Sequence, residues 1–299
     1  MLITPLPPSH ILVLNKFAVV PEHFILATTA FREQTHLLEK DDLDVAYKCI
    51  ETYHTYHLRH PDEHTRDGDV QATATEGDNN PPAKNPGEKE SQEEGEGEGE
   101  LFVFFNSGPH SGSSQPHRHI QLLPVARMHE GLEREGPRGE TGWAVLARGL
   151  LFGEEEGVRA KMPFATFAER ICPNKSDLQG IYLRLYHRAC EAVLGSADAG
   201  SEIQQRNGEA KISYNLAMTR DVMVIVPRVA EGQTVTAPAA KHGLARRAVG
   251  TLALNGTVLA GTALVKSQEE WDALRQEPEQ LLEILGRIGV PAIQAPSLL

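Results

Sequence analysis

Apolar and polar residues follow two different periods along this chain, and the periods predict both strands and helices. Short runs rich in β-branched and aromatic residues predict strands at Ile11 to Leu14, Phe24 to Thr28 and Leu101 to Phe105. From Lys40 to Tyr56, apolar residues recur three and four positions apart, which predicts an amphipathic helix with an acidic start. The first part of the chain is therefore expected to hold strands and a helix.

The second half continues this mixture. Apolar, β-branched runs predict strands at Ile212 to Thr219, Val222 to Val226 and Val258 to Val265. Helical spacing predicts helices at Thr166 to Leu194, Ser267 to Leu274 and Glu277 to Arg287. Ser267 has Glu270 three residues later, which is typical of a capped helix start. Because strands and helices occur in both halves, the sequence predicts a mixed α+β fold.

Charge separates one segment from the rest of the chain. The 299 residues carry a net charge of −12, and residues 61–100 hold 13 acidic and three basic residues, which account for −10 of it. Almost no large apolar residue occurs there, so burial could not offset the entropy lost on ordering. We therefore predict a disordered acidic insertion at 61–100 that interrupts one domain, and a remainder close to neutral.

Cysteine usage and hydropathy indicate the compartment. The three cysteines, Cys49, Cys172 and Cys190, are widely separated and odd in number, so we expect neither a disulfide framework nor a cysteine-based zinc site. The first thirty residues contain no run of ~20 apolar residues and no signal-peptide pattern. We expect a cytoplasmic protein, with the nucleus as the alternative, and neither nucleic acid nor a membrane as a partner.

The segment from Asn106 to Gln121 contains the residue types that phosphoryl transfer needs. Its first part holds Gly108, Gly112, Ser113 and Ser114, which permit tight turns, expose amide N–H groups and add hydroxyl donors for a polyphosphate. Alone this pattern is weak, because most loops rich in glycine and serine are only connections.

The second part, His117-x-His119-x-Gln121, follows the period of a strand, so its three side chains are expected on one face. The opposite face would then hold Arg118, Ile120 and Leu122. An unprotonated imidazole is a competent nucleophile towards phosphorus near neutral pH, which makes the central His119 the candidate nucleophile. His117 could orient it or stabilise charge, and Gln121 could donate an N–H to a phosphoryl oxygen whose charge grows in the transition state.

Two histidines at alternate strand positions have other interpretations. They are also the pattern of a metal pair, or of incidental surface residues, and an isolated H-x-H is more often one of these. A metal pair needs a third ligand, and the spacing singles out none of His110, His129 and Glu130. A phosphate-suited loop that ends directly at the strand favours phosphoryl transfer.

At these residues the sequence resembles the fungal and bacterial ATP adenylyltransferases, also called diadenosine tetraphosphate phosphorylases, a branch of the histidine-triad superfamily. The blocks that carry the resemblance are Asn15-Lys-Phe-Ala-Val-Val-Pro-Glu-His-Phe24, Phe105-Asn-Ser-Gly-Pro-His-Ser-Gly-Ser-Ser114, His117-x-His-x-Gln121, Ile212-Ser-Tyr-Asn-Leu216 and Asn255-Gly-Thr-Val-Leu-Ala-Gly261 through Lys266. They occur in the family's order and cover most of the chain outside the acidic insertion.

The resemblance implies that His119 takes AMP from diadenosine tetraphosphate and releases ATP, after which phosphate attacks the adenylyl-histidine to give ADP. The reverse reaction would build the dinucleotide from ATP. Hydrolases of the superfamily usually carry a third histidine where this chain has Gln121, so the glutamine favours a transferase. A divalent cation, Mg²⁺, would arrive with the polyphosphate. The alternatives are a dinucleoside polyphosphate hydrolase, another histidine-dependent nucleotidyltransferase, and a catalytically idle nucleotide-binding relative.

The resemblance also implies a histidine-triad-like antiparallel sheet with packed helices, completed by a C-terminal α+β part. Residues 1–60 and 101–205 would form the N-terminal catalytic part, and residues 206–299 the C-terminal part, in a monomer. Family members usually carry several dozen further residues before the strand at Ile11, and if the shorter start reflects a truncation, part of the sheet edge or its covering layer would be missing. His23 is assigned a structural role. Carried over to matching positions, the substrate contacts would be Lys16, Asn106, Gly112, Ser113, Ser114, Gln115, Gln121, Asn255, Gly256, Thr257, Thr262 and Lys266.

Overall fold

The computed structural model describes residues 1–60, 97–130, 132, 143–152, 162–195, 206–238 and 246–291. The strands are β1 (Leu2–Leu6), β2 (His10–Leu14), β3 (Phe24–Thr28), β4 (Leu101–Ser107), β5 (His119–Pro124), β6 (Phe167–Arg170), β7 (Ser213–Met218), β8 (Val222–Arg228), β9 (Gly232–Thr236) and β10 (Ala248–Ala253). The α-helices are α1 (Lys40–Arg59), α2 (Val125–His129), α3 (Leu146–Phe152), α4 (Leu178–Leu194), α5 (Gln268–Gln276) and α6 (Glu279–Ile288), and a 3-10 helix spans Gly256–Ala260.

Eight of the strands form one sheet in the order β1-β2-β3-β5-β4-β7-β8-β6, and each neighbouring pair is antiparallel. This confirms the predicted α+β class and the antiparallel sheet. The sheet runs across the predicted division at residue 205, because β7 and β8 lie beyond it, and that division stays a prediction. Most of the predicted insertion, residues 61–96, lies outside the described residues, whereas 97–100 form a turn whose Glu100 carbonyl accepts from the Val125 N–H at 2.9 Å.

One face of the sheet is covered by α1 and α4. The apolar stripe of α1 buries Leu43, Ala46 and Ile50, as its spacing predicted, against a core that includes Ile120 and Leu122 of β5. Each leucine or isoleucine side chain buried in this way contributes about 1.5–3 kcal/mol. The reverse side of the histidine strand is therefore held by a packed core.

The other face packs against α3 and the 3-10 helix. Strand β4 is central and buried on both sides, so its residues alternate between the cores, with Val103 on the first face and Phe102 and Phe104 on the second. On β5, Leu123 joins this second core. His119 and Gln121, which share the face of Leu123, lie beyond the edge of that core and border a cavity.

Two predicted elements are wrong in part. The predicted helix from Thr166 is a strand, β6, over Phe167–Arg170, and α4 begins only at Leu178, because Pro173 restricts its predecessor and Asn174 adopts a left-handed φ of 60°. The predicted strand from Val258 to Val265 is instead the 3-10 helix and an irregular segment.

The C-terminal elements form a small core of their own. Strands β9 and β10 make a hairpin that packs on α5 and α6, burying residues such as Val235, Leu252 and Ile284. Ser267 Oγ accepts the Glu270 N–H at 3.2 Å, which confirms the predicted cap. No helix in the described ranges is long and apolar enough to cross a membrane.

Candidate active site

A cavity of about 420 Å³ opens on the sheet face that carries the histidine strand. Its polar lining comes from β5, from the loop after β4, from Asn255, and from Asn15 and His23 in the loop before β3, whereas its apolar lining comes from β3 and from Phe17 and Val19 in that loop. The lining residues are Asn15, Phe17, Val19, His23, Ile25, Ala27, Gly112, Ser114, Gln115, His117, His119, Gln121 and Asn255. The structure thus brings His117, His119 and Gln121 together on one face.

His119 is held in a defined tautomer. Its Nδ1 lies 2.9 Å from the carbonyl oxygen of His117, and because a carbonyl only accepts, Nδ1 carries the proton of the neutral ring. Nε2 is then unprotonated, and no residue in the described part of the chain bonds to it. Burial lowers the pKa of His119 below the ordinary value, an effect that the hydrogen bond to the His117 carbonyl opposes and that the charge of the His117 side chain reinforces. The ring is accordingly a neutral nucleophile near pH 7.

A buried glutamine fixes the main chain of His119. The β4–β5 ladder ends at the Phe104–Gln121 pair, and beyond it the side chain of Gln34 lies between the strands. Gln34 Oε1 accepts the His119 N–H at 2.7 Å, while Gln34 Nε2 donates to the carbonyls of Asn106 at 2.8 Å and His119 at 3.2 Å. The glutamine therefore replaces the missing ladder bonds at the point where the two strands separate.

The His117 side chain is also oriented. Thr28 Oγ1 donates to the Ala30 carbonyl at 2.8 Å, so it accepts from His117 Nε2 at 3.0 Å. The ring of Phe31 lies beside it, with centroids 5.4 Å apart. His117 consequently contributes through its carbonyl, which fixes the His119 tautomer, and through a ring that borders the cavity.

Gln121 has a partner that the sequence did not indicate. Its Oε1 lies 2.9 Å from Nε2 of His23, which is 3 % exposed. His23 also bonds Asn15 in the loop before β3. The expected structural role of His23 is thus only part of the description, because the residue lines the cavity and contacts a predicted catalytic side chain.

The predicted phosphate loop turns at Gly108 and Gly112, with φ of 87° and 76°. A Cβ on Gly112 would lie 2.8 Å from the Asn255 Cβ, so the loop packs closely on the C-terminal part. Asn215 Nδ2 anchors the loop by donating to the Ser111 carbonyl at 2.8 Å. The loop is therefore set by contacts from both halves of the chain.

Several predicted substrate residues have internal partners instead of lining the cavity. Asn106 is buried, and its Oδ1 accepts from the Gly256 N–H and from Asn215, both at 2.8 Å. The Thr257 carbonyl accepts from Thr262 Oγ1 at 3.1 Å. These residues support the cavity wall that carries Asn255.

The positions of the remaining predicted residues vary. Ser113 lies within the loop and is half-buried, whereas Lys16 and Lys266 are exposed and do not line the cavity. Lys16 Nζ lies 5.5 Å from the centroid of the Phe17 ring. Among the described residues, no group of three or more His, Cys, Asp or Glu is placed to hold a metal ion.

A buried charged network lies behind the histidines. Asp42 accepts from Arg118 Nη1 at 2.7 Å and from His10 Nε2 at 2.9 Å, and each of the three residues is at most 2 % exposed. Burial alone would raise the pKa of Asp42, but the bonds from His10, Arg118 and the Glu39 N–H hold it below its ordinary value. Sequence reasoning placed Arg118 on this face but gave no signal for its partners.

Comparison with known proteins identifies the family. A family model for the Ap4A phosphorylase N-terminal domain matches residues 1–58 and 96–134, and one for the ATP adenylyltransferase C-terminal domain matches residues 160–291. The chain belongs to the Ap4A phosphorylase family. The two matches cover about three quarters of this phosphorylase chain and contain every residue that lines the cavity.

Two relatives from Saccharomyces cerevisiae match this Ap4A phosphorylase chain over most of its length. Diadenosine 5',5'''-P1,P4-tetraphosphate phosphorylase 2 is 26% identical over 286 residues, which are 94% of this chain and 69% of the relative. Protein APA1 is 26% identical over 287 residues, 94% of this chain and 68% of the relative.

Solved structures of yeast Ap4A phosphorylase Apa2 share the fold. The complex with AMP has a TM-score of 0.58 at 24% identity and covers 96% of this chain and 75% of that one. The complex with Ap4A has a TM-score of 0.55 at 23% identity, with coverage of 96% and 75%.

Proposed function

We propose that this protein phosphorolyses diadenosine tetraphosphate (Ap4A) to ATP and ADP through a covalent adenylyl group on His119. The observation that carries the proposal is the tautomer of His119. Its Nδ1 proton is bound to the His117 carbonyl, which leaves the Nε2 lone pair free beside the cavity. The relatives' names, which describe Ap4A phosphorylases, support the same reaction.

The proposed reaction has two balanced steps. In the first, His119 Nε2 attacks the phosphorus of one AMP unit, a P–N bond forms, and the P–O bond to the rest of the dinucleotide breaks to release ATP. In the second, an oxygen of inorganic phosphate attacks the same phosphorus, the P–N bond breaks, and ADP leaves. The substrate enters as its magnesium complex. In the reverse of the first step, a phosphate oxygen of ATP would attack the adenylyl-histidine, the P–N bond would break, and the dinucleotide would form.

The cavity supplies groups suited to both steps. Gln121 and the loop at Gly112 and Ser114 lie on its polar side, where they can donate to phosphoryl oxygens, and Ile25 and Ala27 lie on its apolar side. We propose that the adenine contacts the apolar side, since an aromatic base gains most from leaving water there. We also propose that the protein acts as a cytoplasmic monomer.

The test is product analysis by chromatography. We would incubate the chain with Ap4A and Mg²⁺, with and without phosphate, beside His119→Ala and the matched control His187→Ala. His187 lies on α4, which covers the opposite sheet face, so its loss should leave turnover intact. Equal ATP and ADP that require both phosphate and His119 would support the proposal. If ATP and AMP form in the absence of phosphate, the protein is a hydrolase and not a phosphorylase. If no product forms, the protein only binds the nucleotide.

A further inference from the structure

We propose that His23 is a positioning residue that fixes the direction of the Gln121 amide, so that Gln121 presents its N–H₂ group to the transferred phosphoryl group. The inference rests on the proposed function, because it assigns His23 a part in the same adenylyl transfer. A glutamine amide has two ends of nearly equal shape, so a cavity wall alone cannot select between them. Only a hydrogen-bond partner of defined polarity can.

The polarity can be traced from a backbone donor. The Phe17 N–H donates to Asn15 Oδ1 at 3.0 Å, and a backbone N–H can only donate. The oxygen of the Asn15 amide is therefore the end that accepts, and its Nδ2 is the end that faces the His23 ring, 3.2 Å from Nδ1 and 3.3 Å from Nε2. The Val19 N–H approaches the same ring nitrogen at 3.4 Å.

The Val19 N–H, which can only donate, determines the tautomer of His23. Nδ1 must accept, so the proton of the neutral ring lies on Nε2, which is 2.9 Å from Gln121 Oε1. Burial lowers the pKa of His23 despite the hydrogen bond to Gln121, and the charge of His119 lowers it further, so the neutral ring is the form present near pH 7. A protonated ring would direct a hydrogen from Nδ1 at Asn15 Nδ2 and the Val19 N–H.

The same chain of bonds directs the Gln121 amide nitrogen. Because Oε1 accepts from His23, Nε2 is the end left for the cavity, and within the described ranges no protein group accepts its protons. His23 precedes β3 by one residue, and Ile25 pairs with Gln121 across the sheet, so His23 is a diagonal neighbour of Gln121 on the cavity face. In a flipped amide, Oε1 would face phosphoryl oxygens whose negative charge grows in the transition state.

The first test is the tautomer itself, measured on the unmodified chain. The ¹⁵N chemical shifts of the His23 ring, assigned by comparison with His23→Gln, should show a proton-free Nδ1 and a protonated Nε2. A proton on Nδ1 would overturn the inference. This readout needs no turnover, so it stays decisive even if the wild-type chain forms no adenylyl-histidine and the proposed function itself fails.

The second test is a double-mutant cycle on the rate of adenylyl transfer to His119. Removing one donor to a developing oxyanion lowers kcat by about 10²–10³-fold, so we expect Gln121→Ala to lose on that order and His23→Leu to approach it with little change in KM. In the Gln121→Ala background, His23→Leu should cost little more. If the fold-losses in kcat of the two single variants multiply in the double variant, the two residues act independently, and this would contradict the role of His23.

The cycle has a matched rescue. His23→Gln places an N–H donor near the position of Nε2, so it should recover most of the kcat that His23→Leu loses, and thermal unfolding measured on each variant separates folding from chemistry. If His23→Gln unfolds at the wild-type temperature yet is as slow as Gln121→Ala, the donor at this position is not what matters. If His23→Leu does not fold, the role of His23 is decided by the ¹⁵N measurement of its tautomer and by the kcat of His23→Gln.

Discussion

The buried Asp42 carboxylate gives the sharpest stability prediction. It is fully buried at the start of α1 and accepts from Arg118 Nη1 at 2.7 Å, from His10 Nε2 at 2.9 Å and from the Glu39 N–H at 2.8 Å. In Asp42→Ala, Arg118 keeps Glu39 Oε1 at 3.4 Å as a carboxylate partner and the Glu33 carbonyl at 3.4 Å as a neutral one. Removing one partner of a buried ion pair costs about 3–5 kcal/mol, because the remaining charge stays out of water. We expect a loss of that size in the free energy of unfolding.

The measurement is urea unfolding at pH 7, with a control on the same helix. Asp44 pairs with Lys40, but both side chains are largely exposed, so Asp44→Ala should change stability far less. Because Arg118 lies between the two histidines, Asp42→Ala should also slow turnover, whereas Asp44→Ala should not. A loss below about 1 kcal/mol for Asp42→Ala would refute the view that this buried pair holds the histidine strand.

The same network predicts a pH dependence. The pKa of Asp42 is lower in the folded chain than its ordinary value of about 3.9, so its ionised form contributes stability above that pH. The contribution is lost as the pH falls through the folded pKa. The difference in unfolding free energy between the wild type and Asp42→Asn should therefore shrink below about pH 4, and a difference that grows on acidification would contradict the assignment.

Three further predictions concern the cavity. Because burial lowers the pKa of His119 below 6.5, kcat/KM measured from pH 5 to 8 should fall only on the acid side of that value, and an inflection above it would oppose the proposed nucleophile. Gly112→Ala and Gly195→Ala both place a side chain at positive φ, so thermal unfolding should show a loss of stability in both variants. Only the Cβ at position 112 would clash with Asn255, so Gly112→Ala should lose more stability, and a turnover assay should show loss in Gly112→Ala alone. Gln34→Leu should lower the urea-derived unfolding free energy by at least about 2 kcal/mol, since each unpaired buried backbone group costs about 1–3 kcal/mol; a smaller loss would mean that water replaces the amide.

The alternation of His117, His119 and Gln121 could be predicted because it depends only on the local period of a strand. The contacts that give these side chains their chemistry could not. Gln34 bonds His119 across 85 positions, and His23 bonds Gln121 across 98, so no pattern within a window of sequence relates them. A buried polar side chain also resembles an exposed one in sequence, because both are simply polar residues between apolar ones.

The C-terminal wall shows why apolar patterning fails next to a site. The run from Val258 to Val265 is β-branched and apolar, yet Asn255 Oδ1 caps the Thr257 N–H at 2.9 Å and Gly261 turns at a φ of 82°, so the backbone coils into a 3-10 helix. Just before this run Gly256 approaches Asn106 so closely that a Cβ at Gly256 would lie 2.9 Å from Asn106 Oδ1. The residues were thus predicted at the site by family resemblance, whereas their conformation follows from capping and close packing that override propensity.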